Sequence, residues 1–303
     1  MLLSACFENV FRDAEFESIG FIGHHPKRML TFVSAKKYVD KVVANDSAAA
    51  VLCTSDLVDL FPSRIGVATV ENPQIELYRL HNQLADNDAF CRKKIPTVIP
   101  ASCKVHPMAC VAENNVKIGE NVTIEEFVSI KENSTIGDGC TIRAGSVIGG
   151  SGLMAKRHKN TSIFAKHYGG VSIGDGVEIL QHVSVMASVF PWQDTVVGGA
   201  AIISDFALIG HGVEIGKQTF VAGSACISGS TMVGEKCFIG PSAVICNGIN
   251  IGDDAFVTMG AVVINDVPDG KTVSGNPAVD HKVFLYDYMQ KQRIASKLRQ
   301  ELK

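Results

Sequence analysis

The sequence predicts a mainly β protein in which a parallel β-helix fills the C-terminal two thirds, behind a small N-terminal α/β domain and ahead of a C-terminal α-helix. Three observations carry this. Aliphatic residues recur at every sixth position over much of residues 111–263, and glycine with an acidic or amide neighbour follows many of them. Residues 1–96 lack that register.

The N-terminal 96 residues alternate short apolar runs with helical patterns: strands at 18–22, 48–53 and 65–70, and helices from about Lys36, near Leu57 and over 73–84. That alternation predicts a small α/β domain over 1–96. The stretch 86–100, charged and carrying Pro96 and Pro100, predicts the junction.

From Val111 the aliphatic positions run Ile118, Ile124, Ile130, Ile136, Ile142 and Ile148. They resume at Ile173, Ile179 and Val185, then continue without a gap from Val197 through Ile209 and Ile227 to Val263. A period of six matches neither the 3.6 of an α-helix nor a simple alternating strand. It suits a coil of about eighteen residues built from three hexads, each a short strand and a turn with its aliphatic residue pointing inward. Glycines after the aliphatic positions, as in Ile118-Gly119-Glu120 and Ile251-Gly252-Asp253, predict corners with unusual backbone angles. The β-helix is expected over 97–275.

Two interruptions break the register. Residues 149–170 form a basic, glycine-flanked loop, and Pro191-Trp192 stands where a hexad is missing between Val185 and Val197. Segments ejected from a rigid solenoid commonly carry function. Residues 276–303 follow the coil, and His281–Lys303 reads as an amphipathic helix with Val283, Tyr286, Met289, Ile294 and Leu298 on its apolar side, suited to packing on the coil or on a neighbouring subunit.

Composition narrows the function classes. A net charge of −3 with dispersed charges gives no basic stripe for nucleic acid. The nine cysteines include no CxxC pair, and Cys140, Cys226, Cys237 and Cys246 sit beside apolar repeat positions. They read as reduced packing residues, with no metal site, in a cytoplasmic protein. Leu3-Ser4-Ala5-Cys6 lacks the preceding apolar run of a lipoprotein leader, and no transmembrane segment is expected.

The order of parts resembles the UDP-3-O-acylglucosamine N-acyltransferases of lipid A synthesis over nearly the whole chain. The likeness is strongest from Leu30-Thr31-Phe32 to Tyr38, at Gly170-Val171-Ser172-Ile173-Gly174-Asp175, and at Ile209-Gly210-His211-Gly212-Val213-Glu214-Ile215-Gly216. The wider group of nucleotide-linked amino-sugar N-acyltransferases shares the histidine and a Ser-Gly-Asn-Pro-Ala ending, here Ser274–Ala278. The resemblance implies a left-handed coil, a homotrimer, and an acyl thioester on coenzyme A or acyl carrier protein as co-substrate, with no permanently bound cofactor. It also implies that Phe32 and Tyr38 sandwich the nucleotide base, that His211 is the general base, and that Gly229 supplies the oxyanion donor. The family's base-reading asparagine is Ala35 here, its second active-site histidine falls at Gly248, and its aromatic loop opening is Ser151-Gly152-Leu153-Met154. These departures favour a related amino-sugar acyltransferase with another sugar or a shorter acyl group over the lipid A enzyme itself. A third alternative is a trimeric scaffold without catalysis.

The residues suit that chemistry. An amine attacking a thioester must lose a proton, and an imidazole with an ordinary pKa of about 6.5 can take it near neutral pH. One coil beyond His211 lies Gly229, where a bare main-chain N–H could receive the oxyanion. Asp205 or Glu214 is a candidate to orient the imidazole, with Asp205 an equal candidate for binding the sugar amine. Lys156, Arg157, Lys159 and Lys166 of the loop are candidates for phosphates of the sugar nucleotide or of the donor.

Overall fold

A computed structural model describes residues 1–87, 89–275 and 281–301. The N-terminal unit holds one sheet of five short strands, β1 (Val10–Arg12), β2 (Ser18–Ile19), β3 (Met29–Phe32), β4 (Ala48–Cys53) and β5 (Gly66–Thr69), in the order β1-β5-β4-β3-β2. Strands β2 to β5 run parallel and β1 joins the edge antiparallel to β5. A parallel sheet needs cover on both faces. Leu30, Leu52 and Ala68 pack with Leu77 and Leu80 of α2 (Pro73–Gln83) on one side, while Val33, Val51 and Val67 pack with Val39 and Val42 of α1 (Val39–Val43) on the other. Asn72 caps α2 by accepting from the Ile75 N–H at 3.3 Å, and Pro73 needs no donor in the first turn.

Strands β1 and β3 are absent from the sequence expectation. Three residues on an irregular edge give β1 no readable period, and β3 is a continuous buried run without alternation. The helix expected near Leu57 is a 3-10 segment, Ser55–Leu60.

Beyond Lys104 the chain winds as a left-handed parallel β-helix whose described strands form three faces, of eight, seven and nine strands. Registers confirm the eighteen-residue coil: Ile130 pairs with Ile148, Ile209 with Ile227, and Ile227 with Ile245. The aliphatic positions form one continuous core from Val116 to Val267.

The corners work differently from the expectation. Gly119 and Gly137 do not have positive φ; the left-handed residues lie two further on, at Asn121 and Gly139. What Gly137 supplies is proximity, since a Cβ there would lie 2.6 Å from the Asp175 nitrogen and 2.6 Å from the Gly174 carbonyl carbon of the next coil. Coils meet so closely at this corner that only glycine fits. The neighbouring acidic residues stitch the same corner, Asp138 Oδ1 accepting from the Glu120 N–H at 2.8 Å and Asp175 Oδ1 from the Asp138 N–H at 2.9 Å.

The first interruption separates Ile136 from its partner Ile173 by 37 residues instead of 18, and much of the excess is an antiparallel hairpin of Ala155–His158 and Thr161–Phe164. The second is an insertion, not a missing hexad. Ile173 pairs with Val197, and Ile179 with Ile203, 24 residues apart, six more than a plain coil. The extra residues bulge outward and carry Phe190 and Trp192 into the N-terminal unit. The Phe190 ring lies 4.9 Å from Phe21 and 5.2 Å from His81, and Trp192 Nε1 donates to the Ile19 carbonyl at 2.9 Å. Arg92 fastens the bulge from the junction, donating to the carbonyls of Pro191 and Gln193 and to Asp194 Oδ1.

The C-terminal helix, α3, spans His281–Glu301. Its expected apolar side does not pack on the coil: Tyr286, Met289, Ile294 and Leu298 are exposed, and the Val283 side chain lies outside the described residues, as do Asn276 to Ala278 of the coil-ending motif. No described helix is long and apolar enough to cross a membrane.

Cys6, Cys53, Cys103, Cys110, Cys140, Cys226, Cys237 and Cys246 form no disulfide. Burial raises the thiol pKa values of Cys140 and Cys237, and these sulfurs donate to the Gly174 and Gly252 carbonyls at 3.0 Å. Cys246, by contrast, is exposed.

Because most hexads add one large aliphatic residue to the core beside a smaller buried one, as Ile227 beside Ala225, truncating the larger should act locally and strongly. Ile227→Ala is expected to cost about 2–5 kcal/mol, whereas Lys217→Ala on the exposed surface should stay within about 0.5 kcal/mol; denaturant midpoints of the two variants measure the contrast.

Candidate active site

His211 sits at the corner between the eight- and seven-stranded faces, directly after the strand Leu208–Ile209 and before Glu214–Ile215. The next coil places Gly229 against it. A Cβ on Gly229 would lie 2.5 Å from His211 Nε2, so any side chain would displace the imidazole. Gly229 is buried, its carbonyl accepts from the Gly248 N–H at 3.1 Å, and its own N–H has no acceptor among the described residues. The site thus presents a bare main-chain donor beside an imidazole nitrogen. Gly248 has φ +69° and its Cβ direction is open.

The other flank of His211 is formed by the inserted loop. Gly152 lies so close that its Cβ would be 3.2 Å from His211 Nδ1 and 2.6 Å from Met186 Sδ. Further along the loop, the His167 ring stands edge-on to His211 with centroids 5.5 Å apart, and its Nε2 accepts from the Gly152 N–H at 3.3 Å. On the coil side, Gln193 from the bulge lies beside Gly212, whose N–H donates to Thr195 Oγ1 at 2.8 Å. The corner is therefore assembled from two coils, the loop and the bulge.

Helix α2 holds the loop down. His81 Nε2 donates to the Lys166 carbonyl at 2.8 Å, and Asn82 brackets the same segment by accepting from the Lys166 N–H at 3.0 Å and donating to the Phe164 carbonyl at 2.8 Å. Tyr78 donates to Met154 Sδ at 3.0 Å. Burial lowers the pKa of His211 from its ordinary value. It pushes His81 and His167 down to about 4, the latter aided by the neighbouring His211 and His81. At neutral pH all three rings are uncharged.

Neither expected orienting carboxylate meets His211 within the chain. Asp205 occupies a different corner, between the nine- and eight-stranded faces, where Oδ1 accepts from the Gln181 N–H at 3.0 Å. Glu214 points outward from the seven-stranded face beside Val196 and Met232 and is exposed. Hexad spacing alone suggested proximity, but residues one hexad apart lie on successive corners of the prism. Among the described residues no side chain hydrogen-bonds to the His211 ring.

The other candidates are spread out. Lys156, Arg157 and Lys159 lie on the exposed hairpin, and Lys166 is clamped through its backbone while its side chain is exposed. Tyr38 lines a cleft of about 480 Å³ with Ile22, Gly23, His25, Lys41, Ala44 and Asn45. Phe32 is not part of that lining; its ring packs edge-on against Phe21 at 6.4 Å. His167 and His81 were not picked out in the sequence, and Gly152 figured there only within the loop opening Ser151-Gly152-Leu153-Met154. His167 follows no hexad, and only the basic loop as a whole signalled it.

The repeats themselves match known models: the bacterial transferase hexapeptide (six repeats) over 115–150 and the hexapeptide repeat of succinyl-transferase over 231–264. The coil thus carries hexapeptide repeats wound as a β-helix. Solved structures similar to it include the UDP-N-acetylglucosamine acyltransferase from Campylobacter jejuni, at 18% identity over 57% of this chain and 72% of that one with a TM-score of 0.43. Another is the O-acyltransferase of the same description from Moraxella catarrhalis, at 18% identity over 59% and 71% with a TM-score of 0.39. The Arabidopsis UDP-N-acetylglucosamine acyltransferase shares 23% identity over 56% and 71%, with a TM-score of 0.34.

The buried histidines set a pH dependence. His24, His81 and His167 bind a proton more weakly in the fold than in the unfolded chain, whose histidines titrate near about 6.5. Protons therefore favour unfolding: the stability from burying neutral rings is complete above that value and is lost as pH falls through it towards about 4. Melting temperature should fall between pH 7 and 4.5, and less steeply in His81→Gln; an equal slope in that variant would show that His81 takes up its proton in the fold.

Proposed function

We propose that the protein is an N-acyltransferase that moves an acyl group from a thioester donor, acyl-CoA or acyl carrier protein, to the amine of a nucleotide-linked amino sugar for cell-surface polysaccharide or lipopolysaccharide. The observation that carries the reading is the buried, acceptor-free Gly229 N–H beside the Nε2 of His211.

In this reading Nε2 of neutral His211 takes the proton as the acceptor amine attacks the thioester carbonyl. The carbonyl oxygen becomes an oxyanion facing the Gly229 N–H, which introduces no competing nucleophile. The intermediate then expels the thiolate, which takes the proton back from the imidazolium, leaving amide, thiol and neutral histidine. Depression of the His211 pKa by burial serves the first step, because the ring is unprotonated at the pH of reaction. The cleft at Tyr38 is the place for the nucleotide, with Lys41 near its phosphates. Exposed Phe220 and Phe256 of the nine-stranded face, and the exposed apolar side of α3, suit packing in a homotrimer.

A screen of amino-sugar nucleotides against acetyl-CoA and long-chain acyl carrier protein tests the activity and separates a short-chain enzyme from the lipid A type. His211→Ala should lower turnover by about 10²- to 10⁴-fold in a folded protein, and Gly229→Ala should do the same by displacing the ring. Retained turnover in His211→Ala would sink the mechanism, and a biological role that survives that substitution would point to a scaffold.

A further inference from the structure

The mechanism above uses His211 and Gly229 and asks nothing of His167. Yet His167 is held with more care than a residue of an exposed loop requires. Both main-chain groups of its neighbour Lys166 are tied to α2, through Asn82 at 3.0 Å and His81 at 2.8 Å. Its own Nε2 accepts from the Gly152 N–H. In the neutral ring the proton then resides on Nδ1, a buried nitrogen whose proton is favoured by the Ala165 backbone. A loop ring restrained in this way is a feature to be explained.

The neighbour that explains it is His211. The two rings meet edge to face at 5.5 Å, and Gly152, the residue His167 holds, abuts His211 Nδ1. Among the described residues no carboxylate fixes the orientation of His211. Its Nδ1 side is walled by Gly152, His167 and Met186, and its Nε2 side faces Gly229. Confinement replaces the usual hydrogen-bonded partner of a catalytic imidazole.

We infer that His167 is a positioning residue: clamped by α2, it holds the loop at Gly152 against His211 and so keeps the Nε2 of that ring over the Gly229 N–H, dry and uncharged. The inference rests on His211 being the reacting base. The titratable groups facing His167 are the half-buried His211 from the coil corner and the buried His81 from α2, both with lowered pKa values. Removing the His167 ring admits water at the Nδ1 flank of His211, which relieves its desolvation and raises its proton affinity.

Two substitutions in the full-length protein test this. His167→Gln keeps an acceptor for the Gly152 N–H and fills most of the space; His167→Ala does neither. NMR titration of the labelled histidines, which needs no substrate, should show the His211 pKa rising by about 0.5 units or more in the Ala variant and remaining near the parent value in the Gln variant. In acyl transfer, Ala should lower kcat about tenfold or more with acceptor KM little changed, and move the acid limb of the pH profile upward; Gln should restore most of both. A His167→Ala protein with unaltered His211 titration and unaltered kcat overturns the inference. So does one whose losses track a lowered melting temperature alone, or a Gln variant as impaired as Ala. If His211 titration shifts as expected but the parent protein acylates no amino-sugar nucleotide, the proposed function fails and the assignment of His167 to the His211 environment stands.

Discussion

Everything in this molecule depends on how closely one coil lies on the next. At the Gly137 corner the backbones approach so nearly that a Cβ would overlap the following coil, and Asp138 and Asp175 use the same nearness to accept main-chain N–H groups. Such contact fixes the register coil by coil: a residue stacks on its counterpart in the next coil, eighteen positions on where nothing is inserted and further on where a segment leaves the coil. A rigid rod of this kind has little freedom to build a site within itself. Its inward positions are mostly aliphatic and its faces are built from strands of two to four residues.

The site is therefore made where the rod is broken. The loop after Ile148 and the six-residue bulge after Val185 leave the coil and meet the α/β unit, through α2 in one case and the aromatic contacts of Phe190 and Trp192 in the other. Both return to the corner that carries His211. The N-terminal unit thereby acts on the corner indirectly, by holding the inserted segments in place. Burial of His81, His167 and His211 together keeps the whole arrangement uncharged near neutral pH.

Much of this was legible beforehand, for reasons specific to each element. The coil could be read because its core requirement repeats every six residues. The Gly229 position under His211 followed from the same arithmetic, because stacking turns a separation of eighteen into contact. The same arithmetic misled for Asp205: a separation of six moves a residue to the next corner, where it bonds Gln181. The glycines of the corners were visible, but their reason, proximity instead of positive φ, was not, because only the neighbouring coil reveals it. Strand β3 escaped because a run buried on both faces carries no alternation.

What the sequence alone determined was the periodic part: the β-helix, its pitch, and the stacking of Gly229 on His211, since a repeating local geometry converts distance along the chain directly into position in space. What only the tertiary structure decided was the rest of the corner. Gly152, His167 and His81 are separated from His211 by aperiodic segments, and their meeting depends on where the hairpin folds back and on which helix of another unit receives it. No local rule encodes that placement; long-range packing of the loop between α2 and the coil does.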